Sequence, residues 1–99
     1  MRFEWDENKN RNNVAKHKVS FETAISIFED PHSNSIPDPF VEAEERWLTL
    51  GMITGTGIVL IVAHTWAEEE GHEVIRIISA RKATPAERRA YAKSQQRPS

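Results

Sequence analysis

Residues 58–63 read IVLIVA, six apolar positions set between two turn signals, Thr54-Gly55-Thr56-Gly57 before and Glu69-Glu70-Gly71 after. The run is far too short to cross a bilayer and has no polar face, so it reads as a central strand covered on both sides. Residues 46–53 and 74–81 flank it with the β-branched and aromatic residues of strands. Short connections then make 46–53, 57–66 and 74–81 an antiparallel meander.

The elements before the meander are local. Residues 2–5 alternate polar and apolar, with Phe3 and Trp5 on one side, which predicts a short first strand. Asp6 caps a helix over 7–17, although four Asn there (Asn8, Asn10, Asn12, Asn13) are poor helix formers. Ser20 is a better N-cap, and Phe21, Ala24, Ile25 and Phe28 at i, i+3, i+4 and i+7 form one apolar stripe on a second helix, which Asp30-Pro31 ends. Pro37 and Pro39 limit the stretch 32–45 to an edge strand near 33–36 and a mobile loop.

After the meander, Thr84-Pro85-Ala86-Glu87 is a capping box with proline at the first helical position. A last helix therefore starts at Thr84. Its apolar content is Ala86, Ala90, Tyr91 and Ala92, so it docks weakly and frays past Lys93, leaving 94–99 loose. The 99 residues make one domain of α+β class, in the order β-α-α-β-β-β-β-α: an antiparallel sheet with its helices on one face. The other face is then either shallow and functional or covered by a partner.

The chain has no Cys, and its four His (His17, His32, His64, His72) are scattered singly, so neither thiol chemistry nor a metal site or other cofactor is expected. The polar start and the lack of a long apolar run point to a soluble, cytoplasmic protein with no membrane segment. Charge is uneven. Residues 1–73 carry a net −8 and residues 74–99 a net +6, an asymmetry that points to an anionic partner on one side.

Six positions stand out for chemistry. His64 closes the most apolar strand, where a side chain with a neutral-range pKa can give or take a proton. Arg81 ends the last strand, and alternation places it with Ser79 on the face of Ile75 and Ile77; if that face is the helix-covered one, which the sequence does not settle, Arg81 emerges at its rim, where a guanidinium can clamp a phosphate. Lys82, Arg88 and Arg89 can add phosphate contacts, and Arg46 opens the first meander strand after Glu44-Glu45. The acidic run 68–70 reads as a solvated hairpin tip.

Several segments together resemble one family. FEWDENK at 3–9, KHKVSFETA at 16–24, FEDP at 28–31, ERW at 45–47, VAHT at 62–65 and RIISARKATPAERRAY at 76–91 look like the BrnT toxins of bacterial BrnT/BrnA toxin–antitoxin modules. The resemblance covers nearly the whole chain in order. It implies a RelE-like fold and a metal-independent endoribonuclease that arrests translation. It also implies a ribbon-helix-helix antitoxin similar to BrnA, which silences the toxin and carries the complex to operator DNA. Carried over by position, the working residues are Arg46, His64, Arg81 and Lys82, with Lys16 and His17 as further candidates. Relatives often have an Arg shortly after the His-Thr pair; here Trp66-Ala67-Glu68 follows, so Trp66 would serve by stacking on a base.

Cutting RNA without metal uses attack of the ribose 2′-OH on the adjacent phosphorus. The protein must take one proton, stabilise a phosphorane and return a proton to the leaving oxygen. The sequence assigns Arg46 and Arg81 as clamps, His64 as acid or base, and Glu45 as an alternative base. Lys82, Arg88, Arg89, Trp66 and Lys16 are the expected RNA contacts. The rival reading is a protein-binding module that only docks a DNA-binding partner; a freestanding nucleic-acid binder fits least, since no reading helix is recognisable.

Overall fold

The computed structural model describes residues 1–41 and 45–95. In chain order it holds β1 (Arg2–Glu4), α1 (Glu7–His17), α2 (Phe21–Ala24) running into a 3-10 stretch (Ile25–Glu29), β2 (Asn34–Pro37), β3 (Arg46–Met52), β4 (Val59–Glu69), β5 (His72–Lys82) and α3 (Pro85–Gln95). The five strands form one sheet in the order β1-β5-β4-β3-β2. The sheet is mixed. β1 runs parallel to β5 with Arg2 opposite Val74, whereas every other pair is antiparallel, which corrects the expectation of an antiparallel sheet. A parallel neighbour needs a crossover, and α1, α2 and the strands that follow supply it.

α2 and the 3-10 stretch form the lid of the core. The Ser20 hydroxyl accepts from the Thr23 N–H, the N-cap that the sequence predicts. The helix then tightens at Ile25, so the buried positions fall at Phe21, Ala24 and Ile27, a repeat of three where an α-helix would bury Phe28. These residues pack on Leu60 and Val62 of β4 and Ile75, Ile77 and Ala80 of β5. The close approach depends on Gly51 of β3, where an added Cβ would lie 2.9 Å from the Ile27 Cβ and 3.1 Å from its carbonyl oxygen.

The Asn-rich helix α1 is held by the residues that weaken it locally. Asn13 is buried and its amide donates to Val19 O and Ala80 O while accepting from Ala80 N–H, at 2.8, 2.8 and 3.1 Å. β1 covers the outer edge of β5 only from Val74 to Arg76, so the Asn13 amide takes over at Ala80, where no strand follows. Asn10, also buried, binds the Glu22 carboxylate at 2.8 Å and accepts the Phe21 N–H at 2.9 Å. Tertiary hydrogen bonds thus override propensity.

Two further differences from the sequence reading have local causes. β4 and β5 run on to meet at a two-residue turn, Glu70-Gly71, both with positive φ (52° and 80°), so Glu68 and Glu69 belong to the strand and only Glu70 to the tip. α3 continues to Gln95, beyond the fraying expected after Lys93, because Tyr91 is buried and its hydroxyl donates to Asp30. Asp30 also accepts from Met52 N–H and His32 N–H at 2.8 and 2.9 Å, joining the 3-10 stretch, β3 and α3. Burial pushes its carboxyl up, but the hydrogen bonds from Tyr91, Met52 and His32 outweigh that and hold it below the usual carboxylate range. Part of the expected mobile loop, 42–44, and part of the frayed end, 96–99, lie outside the described residues.

Candidate functional site

The strand registers bring a polar row to one end of the sheet. Arg46 of β3 lies opposite Thr65 of β4, and Thr65 lies opposite Arg76 of β5. Opposed residues share a face, so two guanidinium groups flank one hydroxyl across roughly 10 Å, two inter-strand spacings. A cleft of about 520 Å³ opens here, lined by Lys9, Glu45, Arg46, Thr65, Trp66 and Arg76 among others. Cations and a carboxylate therefore meet in one open depression. Trp66, 36% exposed, sits edge-on to Trp47 at 5.9 Å between centroids and 6.0 Å from the His64 ring, so its ring lies on the His64 face, opposite Thr65, and not with the two arginines as an RNA-stacking partner would.

His64 lies behind this row, inside the core. Its ring is fully buried and edge-on to Phe28 at 5.1 Å. Nδ1 is 3.0 Å from the Thr65 carbonyl oxygen, so it carries the proton and donates. Nε2 then accepts from the Thr49 hydroxyl at 2.6 Å, and Thr49 accepts from Ser35 at 2.7 Å. This chain of bonds runs from the edge strand β2 to the central β4. Burial lowers the His64 pKa, opposed by the bond to Thr65, and favours the neutral ring. The sequence expected His64 as a proton donor or acceptor at the substrate; the structure places it where both nitrogens are engaged, holding Thr65.

Arg81 is also corrected. The β4–β5 ladder shifts register between Ala63 and His64, so that His64 faces Ile77 and Ala63 faces Ser79, with Ile78 the extra residue. The bulge inverts parity. Ala80 joins Ile75 and Ile77 on the core face, and Ser79 and Arg81 turn to the opposite one. There Arg81 meets α3 and grips Glu87 with both terminal nitrogens, at 2.7 and 2.9 Å.

Glu87 completes the capping box predicted from sequence: it accepts from Thr84 N–H at 2.8 Å and its own N–H donates to the Thr84 hydroxyl at 3.2 Å. The Arg81 fork, with these helix-cap bonds, holds the Glu87 carboxyl down to about 2 against a burial effect that raises it, and Glu87 in turn raises the Arg81 pKa. Arg81 is thus the partner of a helix cap. Along β4, four residues separate Thr65 from Ile61, which faces Arg81, so Arg46 and Arg81 stand in rows ~13 Å apart and do not clamp one phosphate.

The remaining expected contacts are spread out. Arg88 and Arg89 are exposed on α3 beside Met52, Val59 and Tyr91; Lys82 and Arg88 border Gly57 and Ile58. Lys16 is exposed on the last turn of α1, with His17 half-buried beside it. None of these lines the cleft that holds Arg46 and Trp66.

Conversely, Arg76, Thr65 and Lys9 line that cleft and were not singled out from sequence. The signal for Arg76 was present: a two-residue turn at Glu70-Gly71 fixes the register and sets residue 76 opposite 65. Its present ion pair is with Glu4, at 3.6 Å. Among the described residues, no cluster of three or more His, Asp or Glu is arranged to hold a metal ion, and no helix is long and apolar enough to cross a membrane.

A family model described as ribonuclease toxin, BrnT, of type II toxin-antitoxin system matches residues 5–87. No curated protein matches the chain.

Proposed function

The chain belongs to the BrnT family of ribonuclease toxins of type II toxin–antitoxin systems, and from that premise we propose that it cuts RNA in the cleft built on the row Arg46, Thr65, Arg76. The row is the observation that carries the reading, because two guanidinium groups about a hydroxyl suit a phosphodiester and the extra negative charge of its phosphorane. Glu45 accepts the 2′-OH proton and Lys9 returns one to the leaving 5′-oxygen, so the reaction proceeds without metal and spares DNA, which lacks the nucleophile. His64 contributes by fixing Thr65. Loss of intact RNA arrests translation, and an antitoxin of BrnA type with a ribbon-helix-helix DNA-binding part silences the toxin and links it to operator DNA.

The test is incubation of the purified protein with a single-stranded RNA and the DNA of the same sequence in excess chelator. RNA fragments ending in a 2′,3′-cyclic phosphate, with intact DNA, are expected. Cutting that stops with chelator and returns with a divalent ion would sink the metal-free mechanism. A second reading, a weakly catalytic module that only docks its partner, is favoured by one observation: His64 and Arg81, two of three expected catalytic groups, are committed to the fold. Growth arrest on expressing the chain alone separates the two.

A further inference from the structure

The sheet face that carries the cleft is apolar beyond it. Next to the row of Arg46, Thr65 and Arg76 come Leu48 and Ala63, then Leu50 and Ile61, with Ile36 at the edge on β2. Leu48, Leu50, Ile61 and Ala63 are all half-buried, and Ile36 is 49% exposed. The opposite face, by contrast, buries Leu60, Val62, Ile75 and Ile77 under α2 and the 3-10 stretch. A contiguous apolar patch on an otherwise charged surface marks an interaction site.

We propose that this face is where the antitoxin silences the toxin, through one amphipathic helix whose apolar stripe lies on Leu48, Leu50, Ile61 and Ile36 and whose acidic end reaches Arg46 and Arg76. The inference rests on the toxin–antitoxin reading above and names the surface and chemistry of inhibition. Charge complementarity selects the occupant: three cations, Lys9, Arg46 and Arg76, line the cleft end against one lining carboxylate, Glu45, with Arg76 in a single exposed contact to Glu4, while at the far end Arg81 is gripped by Glu87 through two short bonds. An RNA strand would use the same two arginines but gains nothing specific from Leu50 or Ile61. The rows from Arg46 to Leu50 span ~13 Å, the length of roughly nine helical residues. Binding and inhibition are therefore one event, with apolar contacts holding the helix and its carboxylates displacing the phosphate.

The geometry separates affinity from catalysis, since Leu50 and Ile61 lie outside the cleft. The test uses the full chain and a purified BrnA-type antitoxin that binds it, with Leu50→Glu and Ile61→Glu compared with wild type. Expected are unchanged melting and RNA cutting, antitoxin affinity at least 100-fold weaker, and cutting no longer suppressed by antitoxin. A milder pair, Leu50→Ser and Ile61→Ser, serves if the charged variants misfold and should weaken affinity about 10-fold. Affinity within threefold of wild type in folded variants overturns the proposal. So does a free toxin that sediments as a dimer and becomes monomeric in Ile61→Glu, which would assign the face to a second copy. Should the wild type cut no RNA, the catalytic reading fails while the affinity measurement still decides the docking surface.

Discussion

Arg76 and Arg81 lie on the same strand, on the same face of the sheet, and each faces a carboxylate, yet the two pairs differ in kind. Arg76 meets Glu4 through one contact at 3.6 Å, with both side chains more than two-fifths exposed. Arg81 grips Glu87 with two bonds, and Glu87 is itself fixed by the N-cap of α3. An exposed single contact is worth at most about 1 kcal/mol and yields to a phosphate. Displacing Glu87 would also uncap a helix. Cations therefore divide into those held loosely and those committed to the fold, and a count of charges along the chain does not separate them.

The largest expected effect tests that division directly. Arg46→Ala and Arg76→Ala should each slow RNA cutting ~100-fold or more, the scale for losing a preorganised donor to a developing charge, with melting temperatures close to wild type. Arg81→Ala should keep its rate per folded molecule within a few-fold. If Arg81→Ala alone abolishes cutting while melting like the parent, the two arginines have the opposite assignments.

Next in size is the support of β5 beside Arg81. Asn13→Ala leaves the Ala80 N–H and C=O without their partner in a buried place, and a cost of about 2 kcal/mol is expected from chemical denaturation. Loss below ~0.5 kcal/mol would show that the edge of β5 needs no substitute strand at that point.

How far the sequence reveals this comparison depends on the element. Helix caps at Asp6, Ser20 and Thr84 were legible because a cap is local: the acceptor and its N–H groups lie within three residues. The helix and strand positions of residues 21–29 and 46–82 were legible from period, apart from the 3-10 tightening at Ile25, which answers to Gly51 twenty-odd residues away. Arg81 was misplaced because one extra residue, Ile78, inverts the face of everything after it, and no local pattern marks that bulge. The burial of His64 is not legible locally, since its polar partners, Thr49 and Ser35, sit on other strands. The parallel β1 was out of reach for the same reason. A short alternating strand carries no mark of the neighbour it will choose.

The Arg81–Glu87 pair should also show in acid. With the Glu87 carboxyl held down to about 2 from an ordinary 4.5, its contribution is fully present above pH ~4.5 and is lost as pH falls toward 2. Arg81→Ala should cost about 1 kcal/mol at neutral pH, and the gap from wild type should close across that window. His64 acts earlier. Its pKa is lowered in the fold, so the unfolded chain takes the proton first and stability starts to fall below pH ~6.5. His64→Gln should flatten that upper part of the profile and leave the lower part unchanged. Urea titrations from pH 7.5 to 2.5 on the three proteins separate the two windows.

The smallest expected effect probes the weak member of the comparison. Glu4→Gln removes the single contact to Arg76 and one negative charge beside the cleft, while leaving the backbone pairing of β1 with β5 in place. Stability should move by less than ~0.5 kcal/mol, as for an exposed pair. RNA, however, no longer competes with a carboxylate for Arg76, so its affinity should rise two- to fivefold, and more at low salt than at high, where the phosphate attraction is screened. Fluorescence anisotropy of a labelled single-stranded RNA, read at two ionic strengths, measures both. Unchanged affinity at low salt would mean that Arg76 does not face the phosphate, and the row would reduce to Arg46 and Thr65.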